Sequence, residues 1–292
     1  MQRSNWQRTA AKLGQKIPAP LILVFALVLL QLSSGTSKII MTPENAQGLG
    51  FLRMLIGALL LWLVIRPKVS LMTHEQWIDV ALLGGVYAIF TYVFYEALIH
   101  LPLSLVATIG FLGPLAISIV SSRRALDFVW PALALAGIFM LTPMSGDTDI
   151  SWGALAYGLA YAVGWAGYIL TSARAGKSVI GLDGFVIATS IAAILLAPIG
   201  FRYAGEFMGS TSMLALTLLV TLLVTLPLGL EYIALKRIEP RIFGVLLSLE
   251  PAIASVIGIL LLAEIPSATG WIAIAAVTAA SIGATLSRGT RE

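Results

Sequence analysis

A carboxylic acid and a helix-breaking proline stand side by side in the middle of one long apolar stretch. The stretch runs from Arg241 to Glu264, and Glu250 and Pro251 lie near its centre. At a rise of about 1.5 Å per residue, Glu250 lies roughly 13 Å from Arg241, close to the midplane of a hydrocarbon layer about 30 Å thick. A carboxylate at that depth is costly unless it faces a cavity or a partner. We expect either an acid that fixes the fold through hydrogen bonds or one that takes up and releases a proton as its hydration changes.

The same pattern recurs in the first half of the chain. A shift of 137 places Tyr95–Asp127 over Tyr232–Glu264 with six identities in 33 positions, and it aligns Pro114 with Pro251. A proline inside a helix removes one backbone hydrogen bond and bends the helix. We therefore predict that Glu250, Pro114 and Pro251 form the coupling and gating part of the molecule. Chance identity between two apolar helices is the alternative.

Polar and aromatic residues recur at helical spacing on six apolar stretches, which predicts a common inner face. An amphiphilic small molecule bound there needs hydrogen-bonding groups and an apolar surface. Aromatic residues at a membrane interface, and hydroxyl groups bonded to their own backbone, would give similar patterns. The predicted binding residues are Gln31, Ser34, Tyr87, Tyr95, Phe111, Tyr161, Trp165, Thr225, Tyr232 and Ser248.

Three other charged residues lie within or beside apolar stretches. Arg53 is seven residues into the second stretch and Glu96 ends the third, so we expect a structural Arg53–Glu96 ion pair. Lys38, near the end of the first stretch, is expected to extend outward to the membrane surface.

Other chemistries find no support in the sequence. There is no cysteine, and the two histidines, His74 and His100, fall at loops. No metalloprotease or serine-hydrolase motif occurs, so we expect no enzyme, no metal and no cofactor. The net charge of +4 is spread over short loops, which argues against a nucleic-acid partner.

The composition requires a polytopic membrane protein. Of the 292 residues, 59% are hydrophobic and only 11% are charged, whereas soluble proteins carry about 25% charged residues. We predict an all-α fold of ten transmembrane helices, with the lipid bilayer and a small-molecule substrate as partners. A monomer is expected, with a dimer as the alternative. The ten stretches are 20–40, 46–65, 77–99, 102–122, 126–143, 151–172, 181–201, 212–235, 241–263 and 267–286.

The distribution of basic residues predicts the orientation. With the N-terminus in the cytoplasm, 15 of the 18 lysines and arginines fall on the cytoplasmic side, as the positive-inside rule requires. Both termini are then cytoplasmic, and two halves of five helices must have opposite topology. Inverted repeats with broken helices are typical of transporters with a midplane binding site. The predicted division is a cytoplasmic segment 1–19, repeats at 20–143 and 151–286, and a cytoplasmic tail 287–292.

Several motifs in both halves resemble a known family. They are Gly113–Pro114–Leu115–Ala116, Ser121–Ser122–Arg123–Arg124 and Asp127–Phe128–Val129–Trp130, then Leu230–Glu231, Ala234–Leu235, Glu250–Pro251–Ala252 and Glu264. Over residues 20–286 the chain resembles the drug/metabolite transporter superfamily, in the ten-span group built from two EamA repeats, and most closely bacterial threonine/homoserine exporters. The resemblance implies a bacterial inner-membrane exporter of L-amino acids and related metabolites that works by alternating access, with threonine- or homoserine-like, broad or aromatic substrates. A non-transporting receptor or scaffold, or an exporter of another metabolite, is the alternative.

Overall fold

The computed structural model describes residues 18–120, 129–139, 150–179, 182–235 and 246–288. Within these ranges the chain is helical apart from short connections and forms no strand. The described helices are α1 (Ala19–Ile40), α2 (Ala46–Ile65), α3 (His74–His100), α4 (Leu103–Gly110), α5 (Leu112–Val120), α6 (Val129–Phe139), α7 (Trp152–Ser178), α8 (Asp183–Met208), α9 (Thr211–Leu235), α10 (Glu250–Leu262) and α11 (Ala268–Arg288).

The predicted apolar stretches correspond to these helices, so the all-α membrane fold is confirmed. Among the described helices, α1, α2, α3, α7 and α8 are long and apolar enough to cross a membrane. Large apolar side chains point outward, with Leu63, Val163 and Phe201 between 71% and 73% exposed. Such a surface requires a lipid environment, because monomeric soluble proteins rarely expose broad apolar patches.

The ends of the helices follow ordinary capping chemistry. The Thr73 hydroxyl accepts from the Gln76 amide and the Gln76 side chain accepts from the Thr73 amide, which forms a capping box at the start of α3. The Ser151 hydroxyl caps α7 by accepting from the Ala154 amide.

The shift of 137 residues relates the packed pairs of helices in the two halves to each other. Helix α3 packs along α7, and its counterpart α9 packs along α1. Two further pairs, α2 with α8 and α6 with α11, each join a helix to its own counterpart, and α3 packs on α8 as well. These pairings support an inverted two-fold arrangement of the halves. The predicted division at 143 and 151 stays a prediction, since much of that segment lies outside the described residues.

The fourth and ninth spans are both interrupted near their aligned prolines. Helix α4 ends at Gly110, Phe111 forms a turn, and α5 begins at Leu112. In the ninth span, Ser248 and Leu249 form a turn before α10 begins at Glu250. The prolines stand in the first turns of the new helices, where a missing backbone N–H is tolerated.

One end of the bundle, carrying Lys38, Glu96 and Glu264, is called the Lys38 end below. Lys38 does not extend outward as predicted: its Nζ lies 2.5 Å from Glu264 Oε1 and donates to the Leu101 carbonyl at 2.6 Å. The Leu103 amide donates to Glu264 Oε2 at 2.7 Å. The prediction was wrong because the α3–α4 connection and the end of α10 meet at Lys38 and offer it partners inside the protein.

The opposite end carries Asp79, Arg174 and Asp183 and is called the Asp79 end. Arg174 Nε lies 2.5 Å from Asp79 Oδ1, and Gln76 Nε2 donates to the Ser178 carbonyl at 2.6 Å. These contacts join the start of α3 to the end of α7. Each end of the bundle is thus tied by a different ion pair across the two halves.

Candidate functional site

A cavity of about 150 Å³ lies between the two halves. A buried water needs roughly 10–15 Å³ on the same measure, so the cavity has room for a small organic molecule. Its walls come from α1, α2, α3, α4, α7, α9 and α10, and so from both halves of the chain. The lining residues are Leu30, Gln31, Ser34, Arg53, Tyr87, Phe90, Phe94, Leu103, Val106, Ala107, Tyr161, Trp165, Tyr168, Val224 and Glu250.

The polar part of the cavity includes a hydrogen bond between the halves. Gln31 Nε2 on α1 donates to Glu250 Oε1 on α10 at 3.0 Å, and both side chains are buried. Glu250 is the first residue of α10, where the partial positive charge of the helix terminus favours a carboxylate. The break in the ninth span therefore provides a favourable position for this acid.

One side of the cavity is an aromatic wall made by α3 and α7. It consists of Tyr87, Phe90, Tyr161, Trp165 and Tyr168. The Phe90 ring stacks between Tyr161, at 5.3 Å between centroids, and Tyr168, at 5.4 Å. The Tyr161 and Trp165 rings lie 5.8 Å apart. Offset stacks of this kind give a rigid apolar surface against which a ligand side chain can pack.

The break between α4 and α5 allows the aromatic wall to come close. A Cβ atom built on Gly110 would collide with the Tyr161 ring, and one built on Gly113 would collide with the Ala162 carbonyl oxygen. Two glycines around the turn at Phe111 thus let the α4–α5 segment approach the α7 helix. The buried Phe111 ring meets Trp165 edge-on, with the centroids 6.2 Å apart.

Arg53 is a lining residue that the sequence reasoning assigned to another role. The predicted Arg53–Glu96 pair is wrong: Glu96 Oε1 accepts from Gln47 Nε2 at 2.8 Å. Gln47 lies six residues nearer the Lys38 end of α2, so Arg53 is about 9 Å deeper. The depth of Arg53, at the level of a cavity, was the available signal.

The structure brings six of the thirteen predicted site residues to the cavity and places the others around it. Gln31, Ser34, Tyr87, Tyr161, Trp165 and Glu250 line the cavity. Thr225 lines a neighbouring pocket of about 10 Å³ that shares Arg53, Tyr87 and Val224 with the cavity. Tyr95 and Phe111 are buried behind the lining.

The remaining predicted residues lie at or near the breaks in the spans, or outside the description. Ser248 is buried in the turn before α10, and Pro114 and Pro251 stand in the first turns of α5 and α10. Tyr232 falls in the last turns of α9, where its side chain lies outside the described residues.

The predicted alternative for the hydroxyl groups also applies here. Ser34 Oγ donates to the Leu30 carbonyl at 3.0 Å, and Thr225 Oγ1 donates to the Thr221 carbonyl at 2.8 Å. These groups are satisfied by their own helices. They offer acceptor lone pairs to a ligand and no free proton.

A helical membrane bundle with broken helices and a cavity between its two halves is typical of transporters of the inverted-repeat class. Residues 151–286 match the model of the EamA-like transporter family. The chain is also 37% identical over 270 residues to the threonine/homoserine exporter RhtA of Salmonella typhimurium strain LT2, and over 269 residues to that of Escherichia coli strain K12. Each alignment covers 91% of this chain and 90% of the relative. The chain belongs to the EamA-like transporter family.

A solved structure supports the fold independently. A crystal structure of a protein with 17% sequence identity aligns with a TM-score of 0.60 and covers 94% of this chain and 99% of that one. Family membership confirms the prediction of a membrane transporter and the prediction that the chain is not an enzyme.

Proposed function

We propose that this chain exports L-amino acids of the threonine and homoserine kind, and related metabolites, from the cytoplasm across a bacterial inner membrane. The carrying observation is the cavity between the halves, in which the Gln31–Glu250 hydrogen bond and the aromatic wall line one space. A zwitterion needs polar partners at one end and an apolar surface for its side chain, and this cavity provides both. The names of the relatives favour threonine and homoserine. The aromatic wall could also pack against larger side chains, so larger amino acids are tested as well.

Transport by alternating access needs the cavity to open to each side in turn. The halves are joined by the Lys38–Glu264 pair at the Lys38 end and by the Arg174–Asp79 pair at the Asp79 end. We infer that the contacts at one end break while those at the other end form, and that the cavity opens at the end where they break. The basic residues favour an orientation with both termini, and therefore the Asp79 end, in the cytoplasm.

The proposed binding set is the one predicted from the sequence. Gln31 and Glu250 provide the polar end, and Tyr87, Tyr161 and Trp165 provide the apolar side. Ser34, Tyr95, Phe111, Thr225, Tyr232 and Ser248 complete the set around them. Glu250, Pro114 and Pro251 are proposed to couple and gate the movement.

Purified protein in liposomes tests this function with labelled threonine, homoserine, methionine and phenylalanine. We expect flux above empty liposomes for at least one of them. Trp165→Ala should lower that flux roughly two- to tenfold, because it removes one aromatic contact from the cavity. Trp271 on α11 points outward, 45% exposed, so Trp271→Ala is the matched control and should keep wild-type flux.

Absence of flux for the whole panel would contradict export of these amino acids and leave the alternative of an exporter of another metabolite. Equal losses in the two tryptophan variants would show that Trp165 acts through packing and not through the substrate.

A further inference from the structure

Arg53 is a partly buried cation that lines the cavity and has no charged partner in the described part of the chain. The ion pairs found there join Lys38 to Glu264, Arg174 to Asp79 and His100 to Glu96, and none includes Arg53. Its hydrogen bond is a long one, from Nη2 to Thr91 Oγ1 at 3.5 Å, and its buried Nε has no partner among the described residues.

The surroundings of Arg53 are aromatic and do not neutralise it. Its guanidinium carbon lies 5.4 Å from the centroid of Tyr95 and 5.8 Å from that of Phe94. The Tyr95 hydroxyl is itself buried and has no partner among the described residues. Cation–π contacts contribute about 0.5–2 kcal/mol, but they place no negative charge beside the guanidinium. A positive charge without a negative partner among the described residues favours an anionic ligand at this position.

The geometry of arginine selects the kind of anion. Its planar fork of N–H donors matches the two oxygens of a carboxylate, and such pairs are the strong charge-assisted hydrogen bonds of proteins. Arg53 lines the same cavity as Glu250, so the cavity contains one cationic and one anionic side chain. A zwitterion complements that pair of charges better than a simple anion or a simple amine does.

We propose that Arg53 receives the carboxylate of the transported amino acid and so determines specificity for substrates that carry a free carboxylate. This inference rests on the proposed function. It assigns the head group of the substrate to Arg53 and the side chain to the aromatic wall. A smaller pocket, which Arg53 also lines, continues along α2 toward Gly57 and Leu61. A carboxylate held by Arg53 therefore lies where the cavity and this pocket adjoin.

Competition by methyl esters in proteoliposomes tests the assignment directly. Labelled L-threonine and L-homoserine are the probes, with the unlabelled amino acid or its methyl ester as competitor. The ester keeps the ammonium group and the side chain but loses the negative charge. We expect wild-type protein to prefer the free acid by about ten- to a hundredfold, the value of one or two hydrogen bonds to a charged group.

Two variants of Arg53 separate recognition from folding. Arg53→Gln should lose most of the preference for the acid over the ester, and Arg53→Lys, which keeps the charge but not the fork, should fall between the two. Arg202→Gln is the matched control, because Arg202 also lies over an aromatic ring, 4.4 Å from the Tyr203 centroid, but is exposed and outside the cavity. It should keep the wild-type preference. Size-exclusion profiles identify any variant that fails to fold, and Arg53→Lys then carries the test.

The outcomes distinguish this inference from the function beneath it. Wild-type flux of threonine or homoserine with an unchanged acid-to-ester preference in Arg53→Gln and Arg53→Lys would overturn the assignment and leave the transport function standing. An equal loss of acid and ester binding would also overturn it, because that result indicates a structural cation. If the wild-type protein transports neither amino acid, the proposed function is rejected, and the assignment of Arg53, which rests on it, is rejected too.

Discussion

Glu250 is the one acid among the described residues that line the cavity. It accepts a hydrogen bond from Gln31, begins helix α10 and belongs to the wall of a space between the halves. The two roles considered for it, structural acid and proton carrier, make different demands. A structural acid needs only acceptor oxygens for Gln31, whereas a proton carrier must also titrate.

Glu250→Gln separates these roles, since glutamine keeps the Oε1 acceptor for Gln31 and cannot exchange a proton. If Glu250 couples a proton gradient to export, the variant should fold and bind substrate but lose stimulation by the gradient. The ratio of flux with and without the gradient should fall to about one, because a proton that cannot bind contributes no driving force. The measurement is proteoliposome flux with an imposed pH difference.

Glu96→Gln is the control for that experiment. Glu96 lies near the Lys38 end, where it accepts from Gln47 Nε2, and it does not line the cavity. Its variant should keep gradient stimulation. Wild-type stimulation in Glu250→Gln would reject the coupling role and support the structural one.

At the scale of helices, the breaks before Pro114 and Pro251 are the places where the fourth and ninth spans can bend. Helix α10 is held at its far end by Glu264, which binds Lys38 and the Leu103 amide. A swing of α10 about the turn at Leu249 would change those contacts. We therefore propose that bending at the break and separation of the Lys38 end are two parts of one movement.

The double variant Pro114→Ala and Pro251→Ala restores a backbone N–H at both breaks. We expect it to stiffen both spans, because proline costs about 3 kcal/mol in a helix interior and its removal favours a continuous helix. Turnover in proteoliposomes should then fall at least about tenfold while substrate affinity changes little.

Pro198→Ala provides the comparison. Pro198 also lies inside a span, in helix α8, but that helix continues past it and the residue is exposed away from the cavity. Its removal should leave turnover near the wild-type value. Unchanged turnover in the double variant would rule out bending at the two prolines as the transport movement.

On the scale of the whole molecule, orientation decides which end of the bundle faces the cytoplasm. The charge map predicts that both termini are cytoplasmic and that the turn between α8 and α9 is outside. The sequence contains no cysteine, so single cysteines can report sidedness without background. An impermeant maleimide applied to right-side-out vesicles should label Ser210→Cys at once and Thr290→Cys only after the membrane is opened. The reverse pattern would invert the assignment.

Local features of the sequence predicted most of the fold, but contacts between residues far apart in the sequence could not be predicted. Apolar length and loop charge locate helices because lipid imposes both on every span. The partner of Glu250 is 219 residues away, and that of Lys38 lies in a loop of the other half. No periodicity specifies such pairs.

The Arg53 error has the same origin. Glu96 was a plausible partner because both residues were placed on the same outer side, but Gln47, six residues nearer that end of α2, donates to Glu96 instead. The sequence does not specify which residue of α2 meets the end of α3.

The aromatic wall also makes the protein its own optical probe. Indole emission responds to the polarity around the ring, and Trp165 lines the cavity, whereas Trp62, Trp77, Trp152 and Trp271 are between 38% and 57% exposed on the outer surface. Lipids with brominated chains should quench the surface indoles and spare Trp165. The part of the residual emission that Trp165→Phe removes would then report how water enters and leaves the cavity as the transporter works.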